Sequence, residues 1–238
     1  NLFKVVLVDH DQSDDIIDND LVRGVTFTGS PSGGRTIAKK AGEKLKKTVL
    51  ELGSNDAYIV LNDADLDQAV KMCVQGRIYN NGETCVAAKR FIVEAGIYDE
   101  FKEAFVEKMK AVKFGDPTGD EAKIGPMARK DLREKLHNQV EESVKKGAKV
   151  LCGGRRPAGF NKGYFYEPTI FDNVKDNFKI MTVEPFGPLS PITTFQSFEE
   201  VIERANNHSA GLAGYVCTNS MDLAYKTSEA LETGMVAV

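Results

Sequence analysis

The sequence predicts an α/β protein built on a mainly parallel sheet. Short apolar segments alternate with longer segments of helical periodicity, and glycine or helix-capping residues stand at their junctions. Strands and helices that alternate in this order form parallel sheets with right-handed crossovers. A chain of 238 residues, 42% hydrophobic and 28% charged, can bury the core of one large domain or two small ones.

The composition limits the kinds of molecule that the protein is expected to bind. The net charge is −4 with both signs mixed along the chain, which indicates neither nucleic-acid nor membrane-surface binding. No apolar run approaches the roughly 20 residues of a membrane helix, and the first residues lack a signal-peptide pattern. We therefore expect a small-molecule substrate, with no nucleic acid and no membrane.

Cysteine and histidine spacing argues against metal sites and disulfides. The four cysteines, at 73, 85, 152 and 217, form no CxxC pair, which favours a reducing, cytoplasmic setting. His10, His137 and His208 lack ligand spacing, and His137 is predicted to be a solvated surface residue. No metal is predicted.

The first zone of the chain ends near Gly53 and resembles part of a dinucleotide-binding sheet in its order of elements. The predicted elements are strand Phe3–Val8, helix Gln12–Asn19, strand Gly24–Thr28, helix Ser32–Leu45 and strand Lys47–Leu52.

The second zone continues the α/β alternation to the end of the chain. Its first strand, Ala57–Leu61, is followed by cap residues at 62–65 and a helix whose apolar positions place Cys73 in a core. Further predicted helices are Tyr98–Val112, Arg129–Lys146, Ser197–Asn206 and Met221–Leu231. The remaining predicted strands are Arg90–Val93, Lys149–Leu151, Pro191–Phe195, Leu212–Cys217 and Met235–Val238.

Cys85 is the first candidate for chemistry. It lies in a glycine-containing turn, Asn80–Val86, that follows a helical segment, and small neighbours leave its sulfur approachable. Backbone N–H groups in such a turn can also stabilise an oxyanion. On residue type alone, a buried structural cysteine is the alternative.

Glu51 is the second candidate. It stands near the end of an apolar strand, where α/β folds place their sites, and desolvation there would suit a carboxylate to general-base work. An edge residue that faces water fits the pattern equally well. A thiol nucleophile and such a carboxylate are the two parts of a covalent thioester mechanism.

Two loops complete the candidate site. In Phe27–Arg35 a strand runs through Gly29 and Ser30 into a helix, an arrangement that can cradle a phosphate, although an ordinary turn is the alternative. The second loop, Glu184–Pro188, is stiffened by two prolines and projects Glu184 and Phe186, although a purely structural loop is the alternative.

Together these segments resemble the NAD(P)-dependent aldehyde dehydrogenase family, and the resemblance covers essentially the whole chain. The order and spacing match at Phe27–Ser30 with Gly34, Leu50–Gly53, Gly82–Cys85 and Glu184–Pro188. The chain looks most similar to the shorter bacterial succinate-semialdehyde dehydrogenases, as the stretches Ile59–Leu66, Ala87–Ile92 and Gly125–Arg129 also indicate.

The resemblance implies a role for each candidate. Cys85 would be the nucleophile that forms a thiohemiacetal and then a thioester, and Glu51 would activate the water that hydrolyses it. NAD or NADP would be the cofactor. The residues implied to contact it are Gly29 and Ser30 near the pyrophosphate, Leu52 and Gly53 near the nicotinamide, Glu184 on the ribose and Phe186 beside the ring.

Some positions depart from the family pattern. Glu83 replaces the usual Gln and puts a negative charge two residues from the thiol, which would oppose formation of a thiolate. Ser54 replaces a second glycine, and Val183 stands where an acidic residue is common. Tyr79 occupies the position where some succinate-semialdehyde enzymes carry a carboxylate-binding Arg.

The resemblance further implies that the chain is part of a longer family member, which would be a homo-oligomer. Residues 1–53 would be the C-terminal part of the NAD(P)-binding domain, and 54–238 a catalytic domain truncated at its C-terminus. The isolated chain is then expected to be weak or inactive. The alternatives are a catalytically silent association module and a thiol esterase that needs no cofactor.

Overall fold

The computed structural model describes residues 2–119 and 121–238. The chain divides into two compact units, Asn1–Gly53 and Ser54–Val238. Each unit is built from alternating helices and strands.

Over residues 2–53, the first unit is a two-stranded parallel sheet with two helices. Its elements are α1 (His10–Asp18), β1 (Gly24–Gly29), α2 (Pro31–Glu43) and β2 (Lys47–Leu52). The strands pair in register from Gly24 opposite Lys47 to Gly29 opposite Leu52. α2 begins after Ser30, whose side chain accepts a hydrogen bond from the Gly33 N–H.

The predicted strand Phe3–Val8 is wrong. Residues 2–9 have no regular structure, and the apolar side chains of this segment are exposed. A strand needs a partner for its N–H and C=O groups, and the described part of this unit pairs only β1 with β2. α1 begins at His10, before the predicted Gln12, because Asp9 and Gln12 form a capping box.

The described residues of the second unit form seven strands in the order β5-β6-β7-β4-β3-β8-β9, all parallel except for the β5–β6 pair. The α/β fold class predicted from the sequence is therefore confirmed. The strands are β3 (Ala57–Val60), β4 (Arg90–Glu94), β5 (Lys149–Cys152), β6 (Thr169–Asp172), β7 (Leu189–Phe195), β8 (Ala213–Cys217) and β9 (Met235–Ala237). The helices are α3 (Leu66–Ile78), α4 (Tyr98–Lys110), α5 (Lys130–Lys145), α6 (Lys179–Thr182), α7 (Phe198–Asn206) and α8 (Met221–Ala230).

Both faces of this sheet are covered, as the alternation along β3 shows. Tyr58 and Val60 pack into a core with α3 and α4, whereas Ala57 and Ile59 pack into a second core with α7. A third core lies around α5 and α6. Cys73 is fully buried in the first core, as its helical position predicts.

The sequence did not predict β6 and α6, which have four residues each. His137 is half-buried rather than solvated, and its Nδ1 lies 2.9 Å from the Tyr166 hydroxyl. Among the described residues, no helix has the length and apolar character to cross a membrane. No cluster of three or more His, Cys, Asp or Glu in the same residues has the arrangement of a metal site.

Candidate active site

Cys85 lies in a turn with unusual backbone geometry. The segment 79–88, termed here the thiol turn, follows α3 through a short 3₁₀ turn, Tyr79–Gly82. Asn80, Asn81 and Gly82 have φ values of 49°, 60° and 73°, so three consecutive residues are left-handed. Within this sharp reversal Cys85 is half-buried.

Gly82 is held by a buried cation and by a second loop. Arg77 is fully buried, and its Nη2 donates a hydrogen bond of 2.6 Å to the Gly82 carbonyl. A Cβ on Gly82 would lie 2.6 Å from that Nη2 and 2.7 Å from the Gly187 backbone. Glycine at 82 therefore allows the thiol turn to pack directly on the Glu184–Pro188 loop.

Lys89 joins the same two segments through its side chain. Its Nζ donates a hydrogen bond to the Cys85 carbonyl and lies 3.3 Å from Glu184 Oε1. The same carboxylate oxygen accepts a hydrogen bond of 3.2 Å from the Ser54 N–H. The Lys89 side chain is completely buried, whereas the Glu184 side chain keeps 20% exposure.

Burial and ion pairing have opposite effects on the pKa values of the charged groups around Lys89. Burial lowers the pKa of Lys89, while the nearby carboxylates of Asp56 and Glu184 act to raise it. Burial raises the pKa of Glu184, and the Lys89 ammonium and the Ser54 N–H act in the other direction. Burial likewise raises the pKa of Asp56, against a hydrogen bond from Ser54. Lys89 thus lies near one buried and one half-buried carboxylate, and the buried Arg77 and Arg90 add further positive charge near them.

Asn81 and Glu83 tie the thiol turn to the segment 125–128. The Asn81 side chain donates to the Pro126 carbonyl at 3.0 Å and accepts from the Gly125 N–H at 2.9 Å. The Glu83 carboxylate accepts from the Ala128 N–H at 3.1 Å. Burial raises the pKa of Glu83, and this hydrogen bond opposes the shift. Glu83, which departs from the family's Gln, therefore acts as a hydrogen-bond acceptor for this segment.

The chain is also fixed after Cys85. The Tyr215 hydroxyl donates to the Val86 carbonyl at 2.7 Å, and the Ala88 N–H donates to the Gly76 carbonyl at 3.0 Å. Carbonyl groups on both sides of the sulfur are thus hydrogen-bonded to buried or half-buried groups. A preorganised turn of this kind can present a thiol in one orientation.

The Glu184–Pro188 loop is supported from α5. Gln139 lies within hydrogen-bonding distance of the carbonyls of Val183 and Glu184, at 3.3 and 3.4 Å. Phe186 is half-buried and lines a surface cavity together with Leu136 and Gln139. Glu184 and Phe186 are therefore held on a braced loop within the second unit.

Five of the predicted site residues lie in the first unit. Gly29 ends β1 opposite Leu52, and Ser30 caps the 13-residue helix α2. Gly29 and Ser30 are both exposed at the N-terminus of this helix, where backbone N–H groups and the helix dipole favour an anion. This position fits the phosphate-binding role that the resemblance implies for them, and Gly53 follows β2 directly.

Glu51 is exposed on β2, opposite Thr28. Of the two settings that its pattern allows, Glu51 has that of a strand residue facing water, not a desolvated one. The strand has one neighbour, β1, and this leaves its far edge open within the described unit.

Sequence reasoning did not identify the residues that fix the thiol turn, which are Arg77, Asn81, Lys89 and Tyr215. One signal was available for Lys89. The segment Ala87–Ile92 leads into a buried strand, and a lysine at such a position must find compensating charge.

The chain belongs to the aldehyde dehydrogenase family, whose model matches residues 1–238. The resemblance seen in the sequence is thereby confirmed. Among curated relatives, the succinate semialdehyde dehydrogenase [NAD(P)+] Sad of Escherichia coli is 44% identical over 230 residues, which are 97% of this chain and 49% of the relative. Aldehyde dehydrogenase 1A1 of Mesocricetus auratus is 45% identical over 90% of this chain and 42% of its own length.

Solved structures agree in fold. A succinate-semialdehyde dehydrogenase from Burkholderia pseudomallei superposes with a TM-score of 0.93 at 36% identity, covering 98% of this chain and 48% of the other. A 3,6-anhydro-L-galactose dehydrogenase in complex with NAP gives a TM-score of 0.92 at 35% identity, covering 95% and 48%. The chain spans about half the length of the curated relatives it matches.

Proposed function

We propose that the protein oxidises an aldehyde to the carboxylic acid with NAD+ or NADP+, and that succinate semialdehyde is its substrate. The observation that carries this proposal is a half-buried thiol on a turn locked by buried side chains, in a chain that belongs to the aldehyde dehydrogenase family throughout. The substrate is inferred from relatives named succinate-semialdehyde dehydrogenase, which match over 97% and 99% of this chain.

Cys85 is the proposed nucleophile. Its sulfur adds to the aldehyde carbon, forming the C–S bond of a thiohemiacetal, and the Cys85 N–H stabilises the oxygen that becomes negative. The hydrogen bonds to the carbonyls of Gly82, Cys85 and Val86 support this role, because they hold the backbone that carries both groups.

The residues proposed to hold the cofactor are Gly29, Ser30, Leu52, Gly53, Glu184 and Phe186. Gly29 and Ser30 receive the pyrophosphate, Leu52 and Gly53 lie by the nicotinamide, Glu184 binds the ribose and Phe186 packs beside the ring. When bound, the cofactor supplies the hydride acceptor that turns the thiohemiacetal into a thioester.

Glu51 is the proposed general base for the second half of the reaction. It takes a proton from water, whose oxygen attacks the thioester carbon and releases the acid and the Cys85 thiolate. Its exposure is compatible with access to water.

The domain roles follow from the same proposal. Residues 1–53 contribute to NAD(P) binding, and residues 54–238 form the thiol-bearing catalytic domain. The protein works in the cytoplasm as a homo-oligomer.

Replacement of Cys85 tests the assignment. In the intact protein, Cys85→Ala should lower the rate of NAD(P)H formation from succinate semialdehyde by about 10³-fold or more, since alanine has no thiol with which to form the thioester. Initial rates with both cofactors, and with succinate semialdehyde and an uncharged aldehyde of similar length, measure the effect and the substrate preference.

Cys152→Ala is the matched control, because Cys152 is also half-buried but lies on β5 and contacts the Pro168 carbonyl. It should retain normal turnover. Turnover by Cys85→Ala at the unsubstituted rate would overturn the proposed nucleophile, and aldehyde oxidation absent from the unsubstituted protein would overturn the proposed reaction.

A further inference from the structure

Lys89 connects the thiol to a distant carboxylate. Glu184 lies 99 positions from Cys85 in the sequence, yet both contact the same ammonium group. The Lys89 Nζ donates to the backbone carbonyl of Cys85 and forms an ion pair of 3.3 Å with Glu184 Oε1.

The Lys89 side chain lies in the interior of the protein, unlike the lysine of an ordinary surface ion pair. Its side chain is fully buried, and it directly precedes β4, whose central residues are apolar. A buried ammonium group is costly unless carboxylates and hydrogen-bond acceptors surround it. Glu184, Asp56 and the Cys85 carbonyl supply that surrounding.

The carboxylates of Asp56 and Glu184 differ in whether they can accept a partner from outside the protein. Asp56 is almost fully buried and is already hydrogen-bonded by Ser54 and by the Ala213 N–H. Glu184 keeps 20% side-chain exposure and projects from a loop, so it can gain or lose an external partner. A change in the contacts or charge of Glu184 alters the electrostatic environment of the Lys89 ammonium. Because this ammonium also donates to the Cys85 carbonyl, the change affects the backbone at Cys85.

We propose that Lys89 is a positioning residue that couples Glu184 to the Cys85 thiol, so that contacts made by Glu184 set the reactivity of the sulfur. This inference rests on the proposed function for its meaning in catalysis. The physical coupling between the two sites exists whether or not the protein oxidises an aldehyde.

The coupling is measured by alkylation of Cys85 with iodoacetamide, in the intact protein without cofactor or aldehyde. Peptide mass spectrometry separates Cys85 from the other three cysteines. Lys89→Met removes both the positive charge and the hydrogen bond to the Cys85 carbonyl, and should slow alkylation about tenfold, because a misplaced and less positive turn disfavours the reactive thiolate. Lys89→Gln keeps an N–H donor without charge and should restore part of the rate.

Glu184→Gln should have the opposite effect. Removal of the negative charge leaves the Lys89 ammonium less neutralised, so Cys85 should react about threefold faster. In the Lys89→Met background, Glu184→Gln should change the rate little, because the connecting ammonium is absent. This non-additivity is a readout that a merely structural lysine would not produce.

Lys102→Met is the matched control. Lys102 also pairs with two carboxylates, Asp99 and Asp172, but it lies on α4 outside the thiol turn. Its loss should leave Cys85 alkylation unchanged, and melting curves should show that each variant unfolds cooperatively.

Equal effects of Glu184→Gln in both backgrounds, or alkylation of Lys89→Met at the unsubstituted rate, would overturn the proposal. If both Lys89 variants fail to fold, Glu184→Gln alone decides: an unchanged Cys85 rate contradicts the coupling, and a faster one supports it. Because alkylation needs neither substrate nor cofactor, its outcome is independent of the Cys85→Ala activity test.

Discussion

The two turns that carry the proposed chemistry are built in opposite ways. The thiol turn is fixed largely by hydrogen bonds to segments far along the chain, at 125–128 and at Tyr215, and by the buried Lys89 that directly follows it. The Gly29–Ser30 turn is exposed and is held by contacts within a few residues, chiefly the Ser30 cap on Gly33. A nucleophile needs one fixed orientation, whereas backbone N–H groups at a helix terminus are already oriented by the helix itself.

The same difference appears at the glycines of the two units. Gly82 has a left-handed φ and no room for a side chain, because Arg77 and Gly187 press against it. Gly42, near the end of α2, has open space where a Cβ would stand. Gly82 is therefore required by the fold, whereas Gly42 could be replaced by a residue with a side chain and makes its helix less stable.

The largest expected effect is at Gly82. Gly82→Ala should lower the free energy of unfolding by about 3 kcal/mol, since it combines a left-handed backbone with a forced displacement of Arg77 or the Gly187 loop. Urea denaturation followed by circular dichroism measures the change.

Gly42→Ala is its control and should raise the free energy of unfolding by about 0.5 kcal/mol, as expected for alanine in an exposed helix. If the two substitutions changed the free energy of unfolding equally, Gly82 would be no more tightly constrained than Gly42.

A smaller effect is expected at Asn81. Asn81→Ala should cost about 2 kcal/mol, because it removes two hydrogen bonds to segment 125–128 in a partly buried setting. The free energy of unfolding and the rate of Cys85 alkylation should both change, since the turn loses one of its anchors.

Asn80→Ala is the matched variant, because Asn80 shares the left-handed backbone but makes one exposed hydrogen bond, to the Glu83 carbonyl. Its cost should be smaller by about 1 kcal/mol, the value of one hydrogen bond. A cost as large as that of Asn81→Ala would mean that backbone strain, not the long-range anchor, fixes the turn.

Of the three destabilising substitutions at Gly82, Asn81 and Ser30, the smallest effect is expected at Ser30. Ser30→Ala removes the N-cap of α2 and should cost about 1 kcal/mol, whereas Ser30→Gly should cost only a few tenths. Hydrogen exchange of the first-turn amides of α2 locates the loss, which should stay within this turn and leave Cys85 alkylation unchanged. A change in the alkylation rate would show that the exposed turn also influences the thiol.

Helices, caps and turns could be predicted from the sequence because they depend mainly on residues that are neighbours in the chain. Hydrophobic periodicity predicted most helices and the buried strands, the predicted cap residues at 62–65 include Asp65, which caps α3, and the helical position of Cys73 predicts its place in the core. The motifs around Glu51, Cys85 and Glu184 predicted the family to which the chain belongs.

The errors arose where a partner decides the structure. Phe3–Val8 has the composition of a strand but has no regular structure, because strand formation depends on a neighbour that local sequence does not specify. For Glu51 the strand pattern allows either a desolvated or a water-facing side chain, and only the packing of the chain decides that it is exposed. The short elements β6 and α6 gave no periodic signal at all.

What the sequence determined by itself, then, is the α/β class, the turn that bears Cys85 and the family. Only the tertiary structure decided that Lys89, a residue without any distinctive motif, would be buried between Cys85 and Glu184. The physical reason is that the energy of a buried charge depends on which groups surround it in space, and those groups come from segments that are far apart in the chain.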